Sequence, residues 1–430
     1  MRADEISATA KSDPLICLFG ETLLAKHKRQ QIANIVSNRM REMARMLMVI
    51  KTLEEGIRSF FDVLKPEMFQ PLIFAVKDIS GYDVVKKEFR APSLALHMGT
   101  NIKIMCDVAY KIVLEKRILP NINWLKNSEK KNEIKDLKKL VEAHWCNELA
   151  SLALKNIKEK QWGNPKQLPL SSDILALQTY IDAQSVDCYD KLTNNIDIKT
   201  NYKILIECVL AQTIIFNRKR VGDVQFLKVE TYMKDDNHLD QEAFTESLTT
   251  VEKIISKQFK RVVTGGKGSR PVPILFSKRT QKYISCLLKI RDMTDFIPKS
   301  NPYIFAVPGS KEWISGAHVI RRLAIKCGAK HPQLFTSTRF RKHIATTLQL
   351  MTMQPHKIEQ VATFMGHTRK THAQFYRLPQ DIFQTAKVAK VLLLLEKGKG
   401  KVFKGKCLSE IEIEEEASIL ESSDDDAPTK

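Results

Sequence analysis

Apolar side chains recur at helical intervals along most of this chain, and that periodicity predicts a mainly α-helical fold. Residues 21–50 place them three and four positions apart among lysines and arginines, as in a basic amphipathic helix. Further helical patterns cover roughly residues 54–64, 82–88, 92–117 and 130–160, and the same periodicity returns after residue 170. The methionine and leucine stripes in these segments predict a buried core rather than a ligand site.

One segment departs clearly from the helical pattern. Residues 258–275 read QFKRVVTGGKGSRPVPIL, in which two short β-rich runs flank a glycine-rich turn. This arrangement is typical of a β-hairpin. A short strand is also predicted at Tyr303–Val307, and a helix at 311–327. The predicted fold class is therefore mainly α with a small β-sheet or hairpin.

A domain boundary is predicted where Gly163, Asn164 and Pro165 interrupt the helical pattern. Changes of composition on either side complete the predicted division into four parts. These are a basic amphipathic helical extension (residues 1–50), a helical domain (51–165), a second domain (167–396) and a disordered acidic tail (397–430).

The charge of the chain is strongly positive and unevenly distributed. The sequence has 430 residues, with 69 basic and 49 acidic side chains, which gives a net charge of +20. Residues 408–430 carry nine acids and one base, so the rest of the chain carries about +28. Such an excess favours a polyanionic partner, nucleic acid first. A merely basic protein is the alternative on charge alone.

The eight cysteines are scattered singly without a CxxC pair, and there is no HExxH motif. This pattern argues against a disulfide framework or a zinc site, and fits a reducing compartment. Apolar runs such as Val391–Leu395 are too short to span a bilayer, so no membrane partner is expected. No metal or cofactor is expected either. A nuclear location is predicted, and the short basic cluster at 26–29 does not by itself establish nuclear import.

The stretch MGHTRKTHAQFYRLP places Tyr376 nine positions after His367. A tyrosine hydroxyl with its usual pKa of about 10 is a poor nucleophile unless cations stabilise the phosphate that it attacks. Candidate cations lie upstream. Arg220 is followed three positions later by Asp223, Lys267 occupies the tip of the predicted hairpin, and Arg341 lies near the start of a predicted helix.

Each of these features alone has an ordinary explanation. A lone arginine is usually a surface charge, a GGKG turn is usually only a turn, and most tyrosines are packed aromatic residues. The sequence does not match a phosphate-binding P-loop, because Lys267 is followed by Gly268, and Arg261 stands where that motif begins with glycine. Only the combination and the order of the residues indicate a common site.

That order resembles the tyrosine recombinase (phage-integrase-like) superfamily over about residues 167–396. The matching positions are Arg220 with Asp223, Lys267 in GGKGSRPVPI, Arg341 in RKHIAT, Gly366-His367, and Tyr376 in AQFYRLP. The resemblance implies a core-binding-like N-terminal domain and an integrase-like catalytic domain with the DNA breaking-rejoining fold. The closing stretch is more similar to the eukaryotic, mobile-element-derived (Crypton-like) members than to the bacterial ones.

The resemblance also implies an enzyme that cleaves and rejoins double-stranded DNA in site-specific recombination or integration. Arg220 and Arg341 would bind the scissile phosphate, and His367 would add a hydrogen bond. Tyr376 would form a 3′-phosphotyrosyl link, and Lys267 would protonate the departing 5′-oxygen. Because the link conserves the phosphodiester energy, the reaction needs neither metal nor nucleotide.

One position departs from the family pattern, because Thr338 stands where the family usually has the histidine of its HxxR motif. Threonine cannot act as a general base, whose loss typically costs roughly 10² to 10⁴ in rate. His343 is expected to be structural. A domesticated DNA-binding or architectural protein that keeps the fold with little or no catalysis is therefore the alternative function, and a type IB topoisomerase is a third.

Residues 380–396, DIFQTAKVAKVLLLLEK, are more apolar than one buried helical stripe requires. The family resemblance implies that this helix docks on a neighbouring subunit in a homo-oligomer on DNA. Closure of its own domain's core is an equally good interpretation.

Overall fold

The structure is a computed structural model. It describes residues 3–26, 31–117, 127–162, 167–234, 249–266, 270–350, 359–360 and 363–365. The chain divides into two compact units, Met1–Pro165 and Lys166–Lys430. The finer division predicted from the sequence stays a prediction.

The first unit is helical except for one short pair of strands. The segment 21–50, predicted as a single helix, belongs to two helices, because the first ends at Ala25 and the next begins at Ile32. The elements are α1 (Glu5–Ser12), α2 (Pro14–Ala25), α3 (Ile32–Leu53), α4 (Phe60–Val63), a 3₁₀ turn (Pro66–Met68), α5 (Phe69–Ile79), β1 (Tyr82–Asp83), β2 (Glu88–Phe89), α6 (Pro92–Leu114), α7 (Asn127–Trp145), a π-helical turn (Cys146–Ala150) and α8 (Ser151–Trp162).

One hydrophobic core runs through this unit from Ala10 to Ala153. The methionine and leucine stripe of α3 is buried in it, as predicted, with Met43 and Met46 at 0% exposure. Close packing against α7 depends on Gly99, because a β-carbon at that position would lie 2.5 Å from Nε1 of Trp145. The core therefore fixes helix spacing as well as burying apolar surface.

The helix predicted at 82–88 is wrong. Tyr82 pairs with Phe89 and Asp83 with Glu88 in an antiparallel ladder, and the Tyr82 and Phe89 rings lie 4.8 Å apart. The backbone adopts positive φ at Gly81 and Lys87, a conformation that a helix cannot contain. The geometry of the turn thus decides the structure of residues 82–88, in spite of their weak helical periodicity of apolar side chains.

The second unit is built around a largely buried central helix, α10 (Ile198–Asn217). The predicted fold class, mainly α with a small β-hairpin, is confirmed. Its elements are α9 (Ser171–Thr193), α10 (Ile198–Asn217), α11 (Val221–Gln225), α12 (Val229–Met233), α13 (Thr250–Gln258), β3 (Phe259–Gly265), β4 (Pro271–Ser277), α14 (Lys278–Met293), α15 (Gly316–Lys326), a 3₁₀ turn (Pro332–Leu334) and α16 (Ser337–Leu350).

The predicted hairpin forms from β3 and β4, which pair antiparallel from Phe259–Ser277 to Gly265–Pro271. Two other local predictions need correction. The strand expected at Tyr303–Val307 is reduced to isolated bridges at Tyr303 and Ala306. The helix expected from 311 begins only at Gly316, because Trp313 is the bridge partner of Ala306.

Asn217, at the end of α10, fixes the hairpin to the central helix. Its Nδ2 donates to the Leu275 carbonyl at 2.9 Å and to the Thr213 carbonyl at 3.0 Å. Its Oδ1 accepts a hydrogen bond from the Leu275 amide at 2.8 Å. The side chain thus pairs with β4 as a neighbouring strand would.

Replacing Asn217 by Ala is expected to lower the free energy of unfolding of the second unit by about 2–4 kcal/mol, because both polar groups of Leu275 lose a partner. Urea unfolding monitored by hydrogen exchange in unit 2 peptides measures the change. The control is Ser185→Ala, since this buried hydroxyl donates to the Ile181 carbonyl of its own helix and is not part of the contact with the hairpin. We expect that control to cost about 1 kcal/mol or less. Equal losses in the two variants would contradict the role given to Asn217.

Among the helices of the described residues, none is both long enough and apolar enough to cross a membrane.

Candidate functional site

A turn of three consecutive cations, Arg218, Lys219 and Arg220, joins α10 to α11. Arg218 has a left-handed backbone with φ of 51°, which costs roughly 1–3 kcal/mol for a residue other than glycine. Its guanidinium lies 5.4 Å from the centroid of the Phe340 ring. Arg220 lies beside Asp223 of α11. The cations of this turn therefore contact different neighbouring elements.

Arg220 and Asp223 lie together, as their three-residue spacing suggested. Nη1 of Arg220 is 4.0 Å from Oδ2 of Asp223, and the carboxylate is buried while 38% of the arginine side chain is exposed. Burial raises the pKa of Asp223. Arg220, followed by Arg341 and Lys219, opposes that shift, so all three cations lie close enough to act on one carboxylate.

Arg341 lies in the first turns of α16. The helix is capped by Thr336, whose Oγ1 accepts a hydrogen bond from the Arg339 amide at 3.3 Å. The Arg341 side chain is 2% exposed, and its Nη2 donates to the Met365 carbonyl at 2.9 Å. Met365 immediately precedes the predicted Gly366-His367 pair. Arg341 thus connects the cation cluster to the segment that leads into that pair.

Lys219 is the member of the cluster that the sequence analysis missed. It is 0% exposed, and its Nζ donates a hydrogen bond to the Phe364 carbonyl while lying 3.4 Å from the centroid of the Phe364 ring. Burial lowers the pKa of Lys219 to about 7. Asp223 opposes this effect, and Arg341 and Arg220 add to it. In the sequence this lysine is only one charge in the run NRKR, and no spacing rule distinguishes it.

The end of the hairpin reaches the same cluster through Gly266. A β-carbon at Gly266 would lie 3.7 Å from Oδ1 of Asp223 and 2.5 Å from Cγ2 of Val272. The position therefore requires glycine for close approach. The residue that follows Gly266 is Lys267, so the turn that carries the predicted lysine begins beside the Asp223 carboxylate.

Three predicted site residues, Lys267, His367 and Tyr376, lie outside the described residues. Their roles stay predictions. Within the part of the chain that the structure describes, Arg220, Asp223 and Arg341 come together, and Lys219 joins them.

Thr338 is exposed on the first turn of α16, three residues before Arg341. Residues at this spacing lie on the same side of a helix. His343 lies elsewhere, since its Nε2 is 3.4 Å from Oγ of Ser171. Burial, together with Arg218, lowers the pKa of His343 below its ordinary value. This contact fits the structural role predicted for His343.

Within the described ranges, no group of three or more histidine, cysteine or acidic side chains is arranged to hold a metal ion. The charge of the cluster is supplied by the arginines and the lysine.

Comparisons with known proteins give a structural match of low similarity. No family model matches the chain, and no curated protein matches it. Among solved structures, the chain is similar to the XerH site-specific recombinase, whose structure is a post-cleavage complex with a palindromic difH substrate. The similarity covers 90% of this chain and 93% of that one, with 12% sequence identity and a TM-score of 0.40.

Proposed function

We propose that this chain cleaves and rejoins strands of double-stranded DNA through a covalent link to Tyr376, in site-specific recombination or integration. One observation carries the proposal. Arg220, Asp223 and Arg341 are gathered at one place by segments that lead directly into Lys267 and into Gly366-His367. These are the positions at which the sequence resembles the tyrosine recombinases.

The cluster has the electrostatic character that a scissile phosphodiester requires. The partly exposed guanidinium of Arg220 can donate two parallel hydrogen bonds to non-bridging oxygens. The buried carboxylate of Asp223 lies 4.0 Å from Nη1 of Arg220 and attracts this guanidinium electrostatically. Arg341 adds a second cation from α16. Charge that develops on a pentacovalent phosphate would be stabilised by groups already in place.

The proposed reaction breaks one bond and forms another at phosphorus. The Tyr376 Oη attacks phosphorus, the bond between phosphorus and the 5′-oxygen breaks, and a 3′-phosphotyrosyl link remains. Lys267 gives its proton to the departing 5′-oxygen. The phenol proton passes to water, since threonine at 338 is not ionisable. Attack of a 5′-hydroxyl on the link then rejoins a strand and releases the tyrosine.

The proposal includes several finer predictions. The partner is double-stranded DNA, because about +28 on residues 1–407 favours binding by counterion release. Residues 380–396 mediate assembly on DNA. A Crypton-like, mobile-element-derived origin and a nuclear location complete this proposal.

A library of nicked suicide duplexes with randomised sequence around the nick tests the chemistry. The full-length protein is expected to form an adduct that survives denaturation, and its linked peptide is expected to contain Tyr376. Tyr376→Phe should form none, because phenylalanine has no hydroxyl nucleophile. Tyr180→Phe, which changes a tyrosine of α9, should react as the wild type does. Absence of an adduct with the whole library would disprove the enzymatic proposal.

The exposed Thr338 in place of a proton acceptor favours one alternative, a DNA-binding or architectural protein with little or no catalysis. Retained DNA binding without an adduct would identify that function. If the adduct forms and supercoils relax without exchange between duplexes, the chain is instead a type IB topoisomerase.

A further inference from the structure

We infer that Lys219 is a positioning residue that holds residues 363–365 against Arg341 and so sets the starting point of the chain towards Gly366-His367. Its consequence for catalysis rests on the proposed function, whereas the contact itself does not. A fully buried ammonium is costly unless polar partners compensate for its lost hydration, so Lys219 is not an ordinary surface charge.

The partners of Lys219 belong to the segment that precedes the Gly-His pair. Its Nζ donates to the Phe364 carbonyl and lies over the Phe364 ring, while Nη2 of Arg341 donates to the carbonyl of the next residue, Met365. Residues 363–364 are helical, and 365 is a turn. Carbonyls at a helix end lack donors within the helix, and cations stabilise them.

Two cations on two successive carbonyls restrict both the place and the rotation of this segment. Lys219 directly precedes Arg220, so the same turn that orients one arginine also binds the segment leading to His367. A displacement of about 1 Å at a reacting group can cost roughly 10² in rate. Lys219 therefore links the two parts of the proposed site, the turn that carries Arg220 and the segment 363–365.

The charge of Lys219 is sensitive to pH. It is faced by Asp223 from α11, by Arg341 from α16 and by Arg220 from its own turn. Its pKa of about 7 means that the ammonium is present below pH 7 and is lost as the pH rises through that value. A neutral amine is a weaker donor to a carbonyl. The contact should therefore weaken above neutrality.

Hydrogen exchange of the full-length protein tests the contact without DNA. In Lys219→Met, which keeps chain length but removes the donor, exchange in the peptide covering 359–365 is expected to rise by ~10-fold. Lys219→Arg should restore most of the protection. The control is Lys260→Met, since that lysine lies over the Tyr232 ring elsewhere in the unit. Unchanged exchange in α10 peptides would show that the unit remains folded.

A second variant keeps the test decisive if Lys219→Met does not fold. Phe364→Leu removes the ring next to the ammonium and leaves the backbone carbonyl in place. A smaller rise in exchange over the same peptide is expected. Unchanged exchange in a folded Lys219→Met or in Phe364→Leu would overturn the inference.

Adduct formation tests the catalytic consequence. If the wild type reacts, Lys219→Met should react ~10²-fold more slowly below pH 7, and the difference should shrink above pH 7. Equal rates with altered exchange would overturn the catalytic role. If the wild type forms no adduct, the proposed function fails, and hydrogen exchange alone decides whether Lys219 holds the segment.

Discussion

Replacement of Arg341 by Met is expected to leave the second unit folded and to lower the rate of covalent DNA cleavage by about 10³-fold or more. Arg341 is 2% exposed, and removal of one partner of a buried charge can cost about 3–5 kcal/mol, a cost that Arg220 and Lys219 reduce because they still act on the Asp223 carboxylate. The lost cation, however, is one of three that act on the Asp223 carboxylate in the proposed phosphate site. The rate of covalent cleavage should therefore fall much more than the free energy of unfolding.

Single-turnover rates at saturating DNA measure this prediction, with urea unfolding measured in parallel. Arg341→Lys should recover little of the loss, because an ammonium keeps the charge but not the planar pair of donors. Arg339→Met is the matched control. Arg339 lies on the same helix, but its Nη1 donates to the Gln333 carbonyl at 2.8 Å, away from the cluster. A similar loss in both variants would mean that α16 contributes general charge rather than a specific phosphate ligand.

The parts of the fold that the sequence predicted are those with strong local signals. The hairpin has β-rich runs on both sides of its glycine-rich turn, and β3 and β4 pair there. The first turns of α16 combine a capping threonine with the buried Phe340. Residues 82–88 have no comparable signal, because positive φ at Gly81 and Lys87 depends on how the turn packs.

The candidate site was predictable only in part, for a related reason. Arg220 and Asp223 are three residues apart, so local geometry brings them together. Lys219 is different, because its role arises from a contact with Phe364, which is 145 residues distant. No periodicity in one sequence encodes such a contact. Its burial, visible only in the folded chain, distinguishes it from the other lysines of the described residues.

Thr338→His is expected to accelerate covalent cleavage by roughly 10² to 10⁴, the usual contribution of a general acid-base group. Thr338 precedes Arg341 by three residues, so an imidazole there would lie on the same side of α16 as the guanidinium. Its unperturbed pKa of about 6.5 suits proton transfer near neutrality. Because Thr338 is exposed, the substitution should change stability by about 0.5 kcal/mol or less.

The pH dependence of single-turnover cleavage distinguishes proton transfer from a nonspecific gain in charge. A neutral imidazole is the proton acceptor, so the advantage of Thr338→His should grow as the pH rises through about 6.5. Added positive charge would instead help most at lower pH. Arg339→His is the matched control, because position 339 precedes Arg341 by two residues and so points about 160° away from it around α16. If both histidine variants cleave faster, proton transfer at position 338 does not limit the cleavage rate. The same follows if neither cleaves faster while Arg341→Met abolishes cleavage.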